Sequence, residues 1–485
     1  MRKKIGVFLA MALTLSASGC SVLDSLMGMV GGDSMNDSES SAIVEKTELP
    51  DYDSVKADQF IINGWFAPPV NRESFEEYKA CGFNYMFLMG QNVGSLGGAK
   101  MFEAMDLCEE LGIKVFIDVT RNDAAILSMT DQLVEYDCFV GFNYDEPVIH
   151  TNSLNGATGI VELAPYLEAL HKKHPNVEFL VNLNPCSNIG LSWGTEPFTY
   201  EEYLEAWSTN IVPIFAESNC RNWLSCDDYP LYRDTSSKTE YFLKNTWLQN
   251  LEYLSATKRD SEEEITSNFF IQSMPFGVGH KTRDRVPSYE DLKLQMYACM
   301  AYGYDSVSFF CYGTPPGTGE FTEEQVALID REGEKTQIWY DTQKVLSEIA
   351  KFSNTYMQFN DNWVGTLPIL GSNNLEKDDM YYNNSFDALL EPLSVNRLKG
   401  VKSVTATEDS IVGYLQDSEG NPGYMVVNYN DTTYKKKSDV VFTFNNYNKA
   451  YVYIDGVKQD VTLTNNQLTL NLDIGEGVFV IPYVG

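Results

Sequence analysis

From residue 60 onward, short apolar runs alternate with segments whose apolar positions recur at helical spacing. A parallel sheet buried on both faces, with helices as its crossovers, produces this pattern. The apolar runs predict strands at 60–66, 84–89, 114–119, 139–144, 178–183, 223–226, 268–273 and 306–312. Eight such units over roughly 250 residues match a (β/α)8 barrel in number and size. The segments FEEYKACG, MFEAMDLCEELG, VELAPYLEALHKKH, YFLKNTWLQNLEYLSAT, YEDLKLQMYACMAYG and EKTQIWYDTQKVLSEIAKF supply amphipathic helices. Gly82 and Gly112 end two of them, where a left-handed residue favours glycine. The third crossover, DAAILSMTDQLVEY, carries the weakest helical signal. A doubly wound sheet is the competing architecture, but no G-x-G-x-x-G follows the first strand and eight units favour closure.

Past residue 361 the pattern changes to short strands and turns: SIVGYLQD, GYMVVNYN, DVVFTFNN, AYVYIDGV, QLTLNLDI and GVFVIPYV, separated by Gly-, Asn- and Asp-rich turns. An all-β sandwich-like domain at 361–485 fits this pattern, behind a barrel at 59–355. The first nineteen residues read as a secretory leader, with Arg2, Lys3 and Lys4, an apolar run, and Ser16-Ala17-Ser18-Gly19 directly before Cys20. The small residues before the cysteine resemble a bacterial lipobox. Cys20 is therefore expected to carry lipid, placing the exported protein on a cell membrane or cell surface. Residues 20–58, rich in Gly, Ser and acids, read as a disordered tether.

Formal charge is −33, and it becomes −36 once the three basic residues of the leader are removed. That balance argues against a nucleic-acid partner. Eight cysteines remain after Cys20, none in a C-x-x-C pair, so neither a metal nor another cofactor is expected. Cys220 and Cys226 are close enough in sequence to form a disulfide. The four histidines, at 150, 171, 174 and 280, show no catalytic or metal spacing.

In a barrel of this kind, function gathers at the C-terminal ends of the strands. The fourth predicted strand ends in Asp145-Glu146-Pro147 beside aromatic residues, and the sixth in Asp227-Asp228-Tyr229-Pro230. Aromatic surroundings can raise a carboxyl's pKa enough for it to protonate a departing sugar oxygen. The same acids could equally cap a helix or brace a turn. Tyr229, with Asn63, Trp65, Asn182, Asn184, Gln272 and Tyr312 at other strand ends, supplies amides and aromatic faces, a mixture suited to sugar hydroxyls and ring C–H faces. Arg285, after the seventh strand, could orient a substrate.

GFNYDEP, FLVNLNP, the stretch from YEEYLEAW to SCDDYPL, FFIQSM with the following RVPS, and MAYGYDSVSFFCYGTP occur in order over about residues 61–349. Together they resemble bacterial glycoside-hydrolase-like barrels related to clan A and compared with family 42 β-galactosidases. The resemblance implies a glycan substrate and a C-terminal β-domain, and it maps the acid/base position onto Glu146. Clan A enzymes carry Asn-Glu at the end of strand four and a nucleophilic Glu at the end of strand seven. Here those positions read Asp145-Glu146 and Gln272-Ser273-Met274. The expectation is a glycoside hydrolase with Glu146 as general acid and Asp228 or Asp227 as its partner. Asp284 or Glu320 could instead supply the second acid. A lipoprotein that binds glycan without cleaving it is the alternative.

Overall fold

The eight apolar runs form eight parallel strands: β1 (Ile61–Gly64), β2 (Tyr85–Leu88), β3 (Lys114–Asp118), β4 (Phe139–Asp145), β5 (Glu178–Leu183), β6 (Asn222–Asp227), β7 (Ile265–Gln272) and β8 (Ser306–Phe310). β1 pairs with both β2 and β8, closing the barrel. The computed structural model describes residues 49–88, 99–119, 128–151, 158–187, 198–216, 218–234, 241–275, 282–317, 321–373 and 384–485. The expected leader, Cys20 and residues 20–48 of the tether lie outside the described residues, as do Glu320 and the mid-part of the third crossover. That crossover holds one described turn of helix, Thr130–Leu133.

The outer helices are α1 (Arg72–Cys81), α2 (Ala99–Leu111), α3 (Ile160–Lys173), α4 (Tyr200–Asn210), α5 (Trp247–Asp260), α6 (Tyr289–Ala301) and α7 (Gln337–Ile349). α1 shows how local sequence sets its limits. The Asn71 side chain accepts from the Ser74 N–H at the start, and Gly82, at φ 116°, turns the chain at the end. Gly112 also has positive φ, at 66°.

The β-domain has nine strands where six were expected: β9 (Asn362–Ile369), β10 (Val401–Ala406), β11 (Ser410–Gln416), β12 (Pro422–Asn428), β13 (Ser438–Phe444), β14 (Lys449–Ile454), β15 (Val457–Thr462), β16 (Gln467–Leu472) and β17 (Gly477–Tyr483). They form a six-stranded sheet, β9-β11-β12-β17-β14-β15, and a three-stranded sheet, β10-β13-β16. Their shared core includes Val412, Val426, Val440, Phe442, Leu470 and Val480. β9 and β15 are edge strands, one interrupted by an irregularity beside Gly365 and the other largely polar, VKQDVT. Neither shows the alternation of a half-buried strand.

Helix α6 joins the two halves. Asp291–Ala301 is buried throughout, because the helix packs against the barrel on one side and β11, β12 and β17 on the other. Glycines let the sheet come close: a Cβ on Gly413 would sit 1.9 Å from the Ala301 carbonyl oxygen, and one on Gly477 would sit 2.3 Å from Tyr297 Cγ. Arg285 Nη2 reinforces the junction by donating to Asp291 Oδ1 at 2.7 Å and to Asp431 Oδ1, in the β-domain, at 3.1 Å.

Two expectations change here. The tether stops short of residue 58, because Tyr52 is buried, packs against Phe359 with ring centroids 5.1 Å apart and donates to Asp417 Oδ2 at 2.7 Å. An aromatic anchor in an otherwise polar stretch is sufficient to dock it. Cys220 and Cys226 are both free thiols. Cys226 lies in the core at the end of β6, with its sulfur 3.7 Å from the Tyr200 hydroxyl, while Cys220 is half-exposed near Pro175 O.

Gly413→Ala is expected to destabilise the protein by about 2 kcal/mol or more, since a helix carbonyl cannot yield as a side chain can. Denaturant unfolding measures this. An unchanged midpoint would show that helix and sheet are not in close contact at Gly413.

Candidate active site

Strands β3 to β6 deliver a row of polar side chains to the barrel mouth. Side chains alternate across a strand, so Asn143 and Asp145 on β4 share one face, as do Trp223, Ser225 and Asp227 on β6. Trp223 belongs to the aromatic and aliphatic filling of the barrel, with Phe87, Phe116, Leu180 and Phe270, which shows that this face points inward. Parallel register sets the neighbours: Asp118 beside Asn143, Asp145 beside Asn182, and Asn182 beside Ser225.

One amide ties the two acidic strands together. Asn182 Nδ2 donates to Asp145 Oδ1 at 3.1 Å and to Asp227 Oδ1 at 2.9 Å, so those two oxygens lie no more than about 6 Å apart. A third acid stands next to them: Asp118 Oδ1 accepts from Asn143 Nδ2 at 2.6 Å. Burial pushes the Asp227 carboxyl up to about 7, aided by the charge of Asp145 and opposed by the Asn182 amide. Burial likewise pushes Asp118 up to about 7, again with help from Asp145 and against its bond from Asn143. Asp145 is also raised by its surroundings, with Asn182 as the opposing influence. It is open to solvent at the mouth while surrounded by protein on the barrel side, so its desolvation is partial. The charge of Asp145 thus bears on both neighbours, and of the three acids it is the one open to solvent.

Trp65, Tyr229 and Phe310 form an aromatic wall over the inner face. The Trp65 and Phe310 ring centroids are 5.2 Å apart, and those of Tyr229 and Phe310 5.1 Å. Glu146 follows Asp145 in a left-handed conformation, φ 42°, and its N–H donates to Asn182 O at 2.9 Å. It is half-buried and close enough to bear electrostatically on Tyr229 and Tyr203. Asn184 is buried beside Tyr203, whose hydroxyl accepts from the Asn184 N–H at 3.2 Å. Asn63 is buried inside the barrel, and among the described residues its Oδ1 has no protein partner, nor has Asn143 Oδ1.

Four expected site residues serve the scaffold instead. Asp228 is 2% exposed, paired with Lys244 and bonded by Asn250 Nδ2 at 2.7 Å. It follows Asp227, the last residue of β6. Gln272 accepts from Leu231 N at 3.1 Å and donates to Arg285 O at 2.8 Å, so its amide braces the loops after β6 and β7. Arg285 is held in the junction with the β-domain. Tyr312 is buried against Tyr78 and Phe83 and accepts from Trp339 Nε1 at 3.2 Å.

Two cavities lie away from the mouth acids. One of about 440 Å³ is bordered by Tyr52, Arg221 and Asp305, and one of about 740 Å³ by Leu204, Tyr253 and Trp363. Their buried acids have structural partners. Asp305 is bonded by Lys258 at 2.7 Å and by Ser267, and Glu252 accepts from the N–H groups of Leu390 and Glu391 at 2.6 and 2.8 Å. Among the described residues, no group of three His, Cys, Asp or Glu side chains could hold a metal ion.

No family model and no curated protein matches the chain. Solved structures similar to it include a family 27 β-L-arabinopyranosidase from Geobacillus stearothermophilus, at 11% identity over 90% of this chain and 98% of that one, with a TM-score of 0.46. A family 42 β-galactosidase from G. stearothermophilus is similar at 10% identity over 87% and 98%, with a TM-score of 0.48. An α-L-arabinofuranosidase from Thermotoga maritima is similar at 10% identity over 88% and 97%, with a TM-score of 0.44. At this identity no residue role passes from those proteins to this chain.

Proposed function

We propose that the protein is a glycoside hydrolase in which Asp227 is the proton donor and Asp145 the nucleophile. One observation carries this reading: a single amide nitrogen contacts carboxylates on β4 and β6, at the mouth of the barrel. Glycosidases that retain configuration hold their two carboxyls about 5–5.5 Å apart, whereas inverting enzymes need about 6.5–9.5 Å to admit water. The limit set by Asn182 favours retention. In the first step the Asp227 O–H protonates the glycosidic oxygen as its bond to the anomeric carbon breaks, and Asp145 Oδ bonds to that carbon. Water then attacks the same carbon, losing its proton to Asp227 and releasing Asp145. Trp65, Tyr229 and Phe310 offer faces for the sugar ring, and Asp118 and Asn184 offer groups for its hydroxyls.

This assignment departs from the pair Glu146 and Asp228. Asp228 is buried, with one carboxylate oxygen held by Lys244 and the other by Asn250, so neither is free to reach a substrate. The two contacts of Asn182 Nδ2 that define the pair go to Asp145 and Asp227, whereas Glu146 follows β4 in a left-handed conformation.

The test is hydrolysis of an array of aryl glycosides and glycans by the chain and three variants. Asp145→Asn and Asp227→Asn are each expected to lose about 10²–10⁴-fold in kcat/KM, and Glu146→Gln less than about tenfold. Asp227 must be protonated, so kcat/KM should fall as pH rises through about 7. Asp145 must be ionised, so it should also fall at low pH, at a midpoint above the ordinary carboxylate value. Loss in Glu146→Gln with activity kept in Asp145→Asn would overturn the assignment. Glycan binding with no turnover in any form would favour the capture reading.

The leader and Cys20 support export and lipid anchoring as part of the same proposal. Cys20→Ser should abolish incorporation of an alkynyl fatty acid in cells; label retained in this variant would contradict the anchor.

A further inference from the structure

The two acids stand at the upper end of a row of polar groups that descends through the barrel. Ser225 Oγ donates to Asn182 Oδ1 at 2.8 Å and accepts from Asn268 Nδ2 at 2.8 Å. Asn268 Oδ1 in turn accepts from Ser306 Oγ at 2.8 Å and Ser308 Oγ at 2.9 Å. Ser225, Asn268, Ser306 and Ser308 are completely buried. The row follows the register across five strands, with Asp145 beside Asn182, Asn182 beside Ser225, Ser225 beside Asn268, and Asn268 beside Ser306. Nothing in the proposed chemistry uses the lower four residues, and an apolar core would fill the same space at lower desolvation cost.

We infer that Ser225 and Asn268 are positioning residues, which hold the Asn182 amide with its N–H edge toward Asp145 and Asp227 and its carbonyl away from them. This rests on the reading of those two acids as the catalytic pair. An amide has two edges of similar shape and opposite polarity. Turned the other way, Asn182 would set a carbonyl oxygen against two carboxylates and drive at least one of them to hold its proton. The hydroxyl of Ser225, aimed at Asn182 Oδ1, opposes that turn. Asn268 keeps the hydroxyl so aimed by donating to the serine oxygen, and its own orientation is matched to the hydroxyls of Ser306 and Ser308.

The charged and titratable groups that face the pair are Asp118 from β3, Glu146 from the end of β4, and Asp228 and Tyr229 beyond β6, with Lys244 against Asp228. The side-chain hydrogen bonds of Ser225 and Asn268 run within the polar row itself, so removing the serine hydroxyl leaves those charges in place.

The experiment compares Ser225→Ala, Ser225→Thr and Asn268→Ala with the parent in the full chain. The pH dependence of kcat/KM and the titration of the side-chain carboxyls by 13C NMR are followed in parallel. Ser225→Ala and Asn268→Ala should each move the acidic limb of the profile, and the matching carboxyl titration, upward by about one pH unit. Ser225→Thr, which keeps the hydroxyl, should restore both. A uniform loss of rate with unmoved midpoints in both alanine variants would overturn the inference, because a merely structural role lowers activity without moving titrations. Should Ser225→Ala fail to fold, Asn268→Ala makes the same test one residue further from the acids. The carboxyl titration stands apart from activity. If it moves as expected in a protein that cleaves no glycan, the positioning role holds and the hydrolase reading falls.

Discussion

Closing eight parallel strands on one another fixes every strand's register to its neighbours, and in this protein that register is the constraint on which the site depends. It sets Asp145, Asn182, Ser225, Asn268 and Ser306 side by side from β4 to β8. A slip of one residue between any pair would turn an inward polar group outward and bring an apolar one to the mouth. The filling of the barrel by Phe87, Phe116, Leu180, Trp223 and Phe270 opposes such a slip, because these side chains pack only when all the strands keep their registers. The core that stabilises the fold therefore also places the acids.

The polar row through the barrel is costly to bury and acceptable only when its members satisfy one another. Ser225, Asn268, Ser306 and Ser308 do so at 2.8–2.9 Å. At the opening the demand reverses: Asp145 meets solvent, Asp227 is partly covered, and Asp118 is nearly enclosed. This gradient in exposure, acting on three carboxyls that repel one another, pushes the two more buried ones, Asp118 and Asp227, upward. Acid and nucleophile functions can thus arise from identical side chains.

The barrel was legible because eight buried apolar runs, each followed by a helical stretch, suit few architectures besides a closed parallel sheet. The mouth was only partly so. The ends of β4 and β6 offered the dipeptides Asp145-Glu146 and Asp227-Asp228, but choosing within each pair required side-chain geometry. On β6 the parity could be read from Trp223, Ser225 and Asp227 at alternate positions. On β4 it could not, since an irregularity in the pairing with β3 near Val140 shifts the alternation, leaving Val140, Asn143 and Asp145 on the inner side. Ser225, Asn268, Ser306 and Ser308 left a signal that apolar runs obscure: polar residues at alternate positions in strands otherwise built to be buried. Gln272, Arg285 and Tyr312 looked like site residues because strand-end polarity is common to binding and bracing. Their partners lie in distant loops and in the β-domain, which spacing along the chain does not reveal.

In the proposed reaction Asp145 attacks the sugar while Asp227, joined to it by the Asn182 amide, supplies the proton. Labelling the protein with a panel of 2-deoxy-2-fluoroglycosides bearing good leaving groups, followed by peptide mass mapping, tests this most directly, because such compounds trap the glycosyl–enzyme ester. The account predicts a single adduct on Asp145, formed more slowly when Asp227 is replaced by Asn. An adduct on Glu146 or Asp228, or turnover of a glycoside by direct inversion with no adduct, would contradict it.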